Sequence, residues 1–140
     1  MSTTLTSRDR TTPRGRVLVA EDEALIRLDI RNVLESKGWD VCGEARDGSE
    51  AVRLAHGLEP DVAVLDLKMP GIDGVEATRR IQGARNTPVV MMTAYDRPSS
   101  LARSIVAGAT EYVVKPFVED ELDRAVARAA SGADIAPGTC

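Results

Sequence analysis

Short apolar runs alternate with amphipathic stretches over most of the chain. The runs are rich in Val and continuous, which is typical of strands buried on both faces of a parallel sheet. They lie at residues 17–20, 41–43, 62–65, 89–92 and 112–114. The stretches between and after them have apolar residues at helical spacing, and predict helices over residues 23–37, 48–58, 74–84, 98–108 and 119–130. Five βα units in succession predict an α/β fold with a doubly wound parallel sheet.

The two ends of the chain depart from this alternation. Residues 1–15 are rich in Ser, Thr and Arg, and residues 131–140 are of low complexity with Gly and Pro. Such segments have too little apolar surface to bury, so we predict a flexible N-terminal arm and a flexible C-terminal tail. Between them, residues 16–130 are long enough for one domain.

Charge and hydropathy narrow the class of protein. The chain has 140 residues with a net charge of -4. Binding to nucleic acid or to a membrane surface would need a concentrated basic face, and the sequence gives no sign of one. No apolar stretch approaches the ~20 residues of a membrane helix, and the first residues lack the apolar segment of a signal peptide. We therefore expect a cytoplasmic location.

Polar residues follow the predicted strands at the point where each strand ends. Glu21 and Asp22 follow the first strand, Asp66 the third, Thr93 the fourth and Lys115 the fifth. Doubly wound sheets bind ligands beyond the carboxyl ends of their strands. Three carboxylates, a hydroxyl and an ammonium are therefore expected to converge at this edge of the sheet.

Three carboxylates close together require positive charge nearby. Two like charges ~4 Å apart cost on the order of 4 kcal/mol at an effective dielectric of ~20. Lys115 can offset part of this, and Mg²⁺, which prefers carboxylate, water and phosphate oxygens, can offset the rest. The alternative is that Asp22 only caps the first helix and the other charges form an ordinary surface ion pair.

Asp66 is the candidate nucleophile of this cluster. A carboxylate at the end of a buried strand can form an aspartyl phosphate, a reaction that needs charge neutralisation and positioning more than acid–base groups. Asp73 follows in the same loop, and its position before the predicted third helix favours a helix cap over a metal ligand.

Four motifs resemble the receiver domains of response regulators in bacterial two-component systems. They are VLVAEDEALIR at 17–27, VAVLDLKMPGIDG at 62–74, VVMMTAY at 89–95 and EYVVKPF at 111–117. The resemblance covers about residues 16–130. It implies a flavodoxin-like (βα)5 fold with strand order 2-1-3-4-5.

The resemblance also implies a role for each residue of the cluster. Asp66 would be the phosphoacceptor. Asp22 would ligate Mg²⁺ directly and Glu21 mostly through water. Asp66 and the backbone carbonyl of Lys68 would complete the protein ligands.

Three further roles are implied for the fourth and fifth strands. Thr93 would hydrogen-bond the phosphoryl group and move toward it, and Lys115 would pair with a phosphoryl oxygen. Tyr112 would turn inward when Thr93 moves. The Lys115–Pro116 peptide would be cis.

Partners follow from the same resemblance. A sensor histidine kinase or phosphotransfer protein would donate the phosphoryl group, and a downstream protein would bind the face formed by the fourth helix, fifth strand and fifth helix. The protein would not be an enzyme beyond catalysing its own phosphorylation and dephosphorylation. Lys68 and Tyr95 would flank the path of the hydrolytic water, which leads us to hypothesise a long-lived phosphoprotein.

A narrower similarity concerns receivers attached to ANTAR RNA-binding domains. It rests on AEDEALIRLDI at 20–30 and GWDVCGEARDGSEAV at 38–52. Only low-complexity residues follow the last predicted helix, so RNA binding is not expected and we interpret the chain as a single-domain regulator.

Other classes fit the sequence less well. The alternative within the family is a degenerate receiver that acts as a constitutive protein-interaction module, but every expected functional position is filled. A haloacid-dehalogenase-type phosphatase would have a DxD pair after the first strand, where this chain has Glu21, Asp22 and Glu23. A dinucleotide-binding protein would have GxGxxG there, which is absent.

Overall fold

The computed structural model of the protein describes residues 14–93, 102–103 and 107–132. Its strands are β1 (Arg16–Ala20), β2 (Asp40–Ala45), β3 (Val62–Asp66), β4 (Val89–Thr93) and β5 (Glu111–Val114). Its helices are α1 (Ala24–Ser36), α2 (Gly48–Leu58), α3 (Gly74–Ala84) and α4 (Glu119–Ser131). The predicted helix over 98–108 lies largely outside the described residues, and Tyr95 lies outside them altogether.

The five strands form one parallel sheet in the order β2-β1-β3-β4-β5. This confirms the predicted flavodoxin-like fold and strand order. The first and third strands are neighbours, as are the third and fourth, so the residues that end β1, β3 and β4 meet at one edge of the sheet.

Helices cover both faces of the sheet. One apolar cluster joins β1, β3 and β4 to α1 and α4, and includes Ile30, Leu34, Leu122 and Val126. The other joins the opposite face to α2 and α3 through short side chains such as Ala51 and Ala55. The helical faces predicted from periodicity are the faces that these clusters bury.

Burial differs between the centre and the edges of the sheet. Every residue of β3 and β4 is buried, as continuous apolar runs predict, whereas β2 and β5 are only partly buried. The edge strands have a neighbour on one side only. In β2 the register also shifts between Val17 and Leu18 of β1, which leaves Cys42 as an extra residue opposite them.

The loop between β3 and α3 is held close to the end of β3. The Leu67 amide donates to the Met92 carbonyl at 2.8 Å, and the Gly74 amide donates to the Leu67 carbonyl at 2.8 Å. A Cβ on Gly74 would lie 2.6 Å from the Asp66 carbonyl oxygen, so this close approach requires glycine. No helix in the described parts of the chain is long and apolar enough to cross a membrane.

Candidate functional site

The parallel register brings four strand ends to one place. Asp66 is the last residue of β3 and Thr93 the last of β4, while Glu21 and Lys115 each follow a strand directly. The backbone amide of Lys115 donates to the carbonyl of Thr93 at 2.7 Å, which extends the β4–β5 pairing into the site. The residues at these strand ends therefore lie at one edge of the sheet, as predicted.

Three carboxylates form the centre of the site. Ligand atoms of Glu21, Asp22 and Asp66 all lie within 4.8 Å of one another. Glu21 is fully buried and Asp66 is 6% exposed, whereas Asp22 is exposed at the rim. The buried floor and open rim would let a ligand approach from the side of Asp22.

Lys115 bridges the two buried carboxylates. Its Nζ lies 3.1 Å from Oε1 of Glu21 and 3.2 Å from Oδ1 of Asp66. The lysine side chain is itself mostly buried, so solvent screens these pairs less than it would at the surface. One ammonium thus serves two carboxylates.

The charges of the site do not balance. Burial raises the pKa of the Asp66 carboxyl to about 6, because the charges of Glu21 and Asp22 add to burial and outweigh the attraction of Lys115. Burial also works against the Lys115 ammonium, but Asp66 and Glu21 outweigh it and the pKa of Lys115 is raised. One cation thus contacts two buried carboxylates, with a third carboxylate close by.

The donor set fits a magnesium ion. Carboxylate oxygens are the ligands that this hard cation prefers, and it also keeps several waters, which suits a site with an exposed ligand at Asp22. Glu21 has both carboxylate oxygens engaged by protein groups, since Oε2 accepts the Glu23 amide at 3.0 Å and Oε1 accepts Lys115. Asp22 and Asp66 are therefore the better candidates for direct ligands.

Asp22 does not act as a helix cap. The N-cap of α1 is Glu23, whose own side chain makes no capping hydrogen bond, and the Glu23 amide is bound by the carboxylate of Glu21 and not by that of Asp22. The capping alternative for Asp22 is thus wrong. By contrast, Asp73 caps α3 as predicted, because its Oδ1 accepts the Glu76 amide at 2.9 Å.

The remaining predicted residues differ in how far they are exposed. Thr93 is buried at the end of β4, and Lys68 is exposed in the loop after Asp66. Tyr112 is 43% exposed on β5, the orientation expected before any inward turn. The Lys115–Pro116 peptide is cis, as the resemblance implied.

One further residue lies beside the site, and the sequence predicts no role for it. Arg27, on α1, donates through Nη1 to the backbone carbonyl of Glu21 at 2.8 Å. A basic residue on the first helix, six positions after the first acid, carries no sequence signal that would distinguish it from a solvated arginine.

The chain belongs to the response regulator receiver domain family, whose family model matches residues 17–127. Members of this family are components of two-component systems, and the family is not a typical enzyme family. The resemblance stated from the four motifs is confirmed.

Individual relatives agree with this assignment. The transcriptional regulatory protein PdtaR of Mycobacterium tuberculosis is 44% identical over 126 residues, which cover 90% of this chain and 61% of PdtaR. This match agrees with the narrower resemblance to ANTAR-type receivers. The chemotaxis protein CheY of Thermotoga maritima is 33% identical over 103 residues, covering 73% of this chain and 86% of CheY. The 61% coverage of PdtaR means that this chain spans less than two thirds of that relative's length.

Solved structures show the same architecture. The signal receiver domain of the response regulator NarL from Mycobacterium tuberculosis superposes with a TM-score of 0.83 at 32% identity, covering 86% of this chain and 99% of that one. The receiver domain of the Francisella response regulator 1452 has a TM-score of 0.77 at 31% identity, covering 86% and 99%.

Proposed function

We propose that the protein is a phosphorylation switch in which Asp66 accepts a phosphoryl group in a magnesium-dependent reaction. The observation that carries this proposal is the cluster itself: Asp66 is buried, paired with Lys115 and within 4.8 Å of two further acids. Asp22, Asp66 and the backbone carbonyl of Lys68 would be the direct protein ligands of the ion, with Glu21 holding it through water.

The transfer is a displacement at phosphorus. An Oδ atom of Asp66 attacks the phosphorus of a phosphohistidine or of a small phosphodonor such as acetyl phosphate, and the bond from phosphorus to the donor's leaving atom breaks. The leaving group takes the electron pair: the histidine imidazole leaves as the neutral ring with a proton from solvent, and acetate leaves as its anion. A bound Mg²⁺ would supply charge neutralisation for the phosphoryl oxygens.

Residues of this chain would act by position and charge. The end of β3 fixes the nucleophile, since Asp66 belongs to the strand and its carbonyl packs against Gly74. The Lys115 ammonium would leave the Asp66 carboxylate and pair with a phosphoryl oxygen, where it makes a charge-assisted hydrogen bond.

The response would be a change of binding surface. The Thr93 hydroxyl would hydrogen-bond the new phosphoryl group, and Tyr112, now exposed, would turn inward to fill the space behind it. The face formed by the fourth predicted helix, β5 and α4 would then bind a downstream protein. We propose a sensor histidine kinase or phosphotransfer protein as the donor, no nucleic-acid partner, and action in the cytoplasm.

A second candidate is a constitutive interaction module that does not use phosphorylation. The complete site favours the switch over this module. The experiment that separates them is intact mass spectrometry of the protein incubated with acetyl phosphate, with and without Mg²⁺. A magnesium-dependent mass increase of one phosphoryl group supports the switch, and no increase under either condition contradicts it.

A further inference from the structure

Arg27 joins the loop after β1 to the end of β2. Its Nη1 donates to the carbonyl oxygen of Glu21 at 2.8 Å, and its Nε donates to Oε1 of Glu44 at 3.3 Å. The arginine side chain is only 16% exposed. A guanidinium held at two points by a rigid fork has little freedom to move away.

The carbonyl that Arg27 holds completes the bonding of Glu21. The amide of Glu21 donates to the carbonyl of Ala45 at 3.0 Å, and its two carboxylate oxygens accept the Glu23 amide and the Lys115 ammonium. Arg27 thus provides the partner for the remaining polar atom of Glu21. Each polar atom of this buried residue has a defined direction.

The consequence for Asp22 follows from the planarity of the peptide bond. The carbonyl of Glu21 and the amide of Asp22 belong to one planar unit, so a guanidinium that holds the oxygen also sets the direction in which the chain enters Asp22. Asp22 has an exposed side chain, which lacks the packing that orients Asp66. Its placement within the carboxylate cluster must therefore come from its backbone.

We propose that Arg27 is a positioning residue for the magnesium site, holding the Glu21–Asp22 peptide in the orientation that brings the Asp22 carboxylate to Asp66. The part of this proposal that concerns the ion rests on the proposed function. The part that concerns the peptide does not.

Arg31 is a matched control one turn further along α1. It also pairs with Glu44, through Nη1 to Oε2 at 3.1 Å, and its Nε lies 3.4 Å from Oε2 of Glu35. Arg31→Met therefore removes one arginine from the same acidic residue without touching the carbonyl of Glu21. Arg27→Met removes both contacts.

The first measurement is amide hydrogen exchange by NMR on the metal-free protein. The Glu23 amide is hydrogen-bonded to the Glu21 carboxylate, so its exchange reports whether the loop is held. We expect exchange about tenfold faster in Arg27→Met, as for loss of one charge-assisted hydrogen bond. Arg31→Met should exchange at the wild-type rate. Wild-type exchange in Arg27→Met would overturn the proposal.

The second measurement is Mg²⁺ affinity by isothermal titration calorimetry. Loss of a residue that orients a metal ligand commonly weakens binding about 10- to 100-fold, and we expect Arg27→Met to fall at the lower end. Arg31→Met should bind as wild type does. Equal weakening in both variants would overturn the proposal, because the Glu44 network and not the Glu21 carbonyl would then matter.

Two further outcomes remain decisive. If Arg27→Met does not fold by circular dichroism, Arg27→Lys replaces it. A single ammonium on a flexible stem cannot contact Glu44 and the Glu21 carbonyl together, so it should hold that carbonyl less firmly and the Glu23 amide should exchange faster than in wild type. An exchange rate of the Glu23 amide in Arg27→Lys equal to that of wild type would then contradict the proposal. If wild type binds no Mg²⁺, the proposed function fails, and the exchange rates alone decide whether Arg27 positions the peptide.

Discussion

Two aspartates lie at opposite ends of the loop between β3 and α3, and their electrostatic surroundings differ. Asp66, at the end of β3, is buried beside two other acids and shares one lysine, and its pKa is raised to about 6. Asp73, at the start of α3, accepts the Glu76 amide and pairs with Arg103 at 3.0 Å. Partial burial opposes these two interactions, but they lower the pKa of Asp73.

The comparison separates the carboxylate that we propose as the phosphoacceptor from one that has a structural role. Asp66 shares its lysine with Glu21 and has Asp22 nearby, and in the proposed function a cation and a phosphoryl group would complete its surroundings. Asp73 has a helix N-terminus and an arginine, so its charge is already compensated and it stabilises the fold. The same side chain thus serves two purposes within eight residues of chain.

Phosphorylation should distinguish the two aspartates completely. Asp66→Asn should take no phosphoryl group from acetyl phosphate with Mg²⁺, because an amide is not a nucleophile for this transfer. Asp73→Asn should be labelled as wild type is, since Asn still caps the helix. Intact mass spectrometry measures both. Label on Asp66→Asn, or its loss from a folded Asp73→Asn, would remove the distinction.

Removing the basic residue that pairs with each aspartate should lower the stability by different amounts. Lys115→Met should lower the free energy of unfolding by about 3 kcal/mol, because it leaves two buried carboxylates without their partner. Arg103→Met should cost at most about 1 kcal/mol, since its pair with Asp73 is partly exposed. Urea unfolding in EDTA gives both values. Equal losses in the free energy of unfolding would show that Lys115 stabilises its buried carboxylates no more than Arg103 stabilises Asp73.

Neutralising each aspartate should change stability in opposite directions. In metal-free protein near neutral pH, Asp66→Asn should raise the free energy of unfolding by on the order of 2 kcal/mol, because it relieves burial of an uncompensated charge. Asp73→Ala should lower it by about 1 kcal/mol through loss of the cap. The test is urea unfolding with and without Mg²⁺, which should stabilise wild type more than Asp66→Asn. A destabilised Asp66→Asn would contradict this interpretation.

The smallest effect concerns the charge of Asp73 and pH. A carboxyl whose folded pKa lies below its ordinary value of 3.8 contributes stability that is present above that value and lost as pH falls through the folded pKa. Wild type should therefore be more stable than Asp73→Asn near pH 7, by a few tenths of a kcal/mol for a partly exposed pair. The difference should shrink as pH falls below 3.8 and disappear below the lowered folded pKa of Asp73. Unfolding curves over this range measure it, and a constant difference would assign the stability to something other than the charge.

Much of the fold could be predicted from local patterns. The five apolar runs became the five strands, and four of the predicted helices match α1 to α4 within one residue at each end. The capping role of Asp73 was also predictable, because a cap and the amide it accepts are three residues apart. The lower burial of β2 and β5 follows from the strand order that the resemblance implied, and not from the apolar runs, since a continuous run does not say which strands lie at the edge.

Sequence alone determined which residues stand at the strand ends, and with the strand order it determined that Glu21, Asp66 and Lys115 share one edge of the sheet. Only the tertiary structure decided how their charges are divided. Lys115 is 94 positions from Glu21, and its ammonium lies between two carboxylates because of the β4–β5 register and the direction of its side chain. Neither is encoded in local spacing.

The contact of Arg27 with the Glu21 carbonyl belongs to the same category. Periodicity places Arg27 beside the apolar face of α1, but the angle at which that helix packs on the sheet decides which backbone oxygen its guanidinium meets. Hydrophobic burial sets this angle through many residues at once. A pattern of polar and apolar positions therefore specifies the framework, and the packed structure specifies the electrostatics of the site.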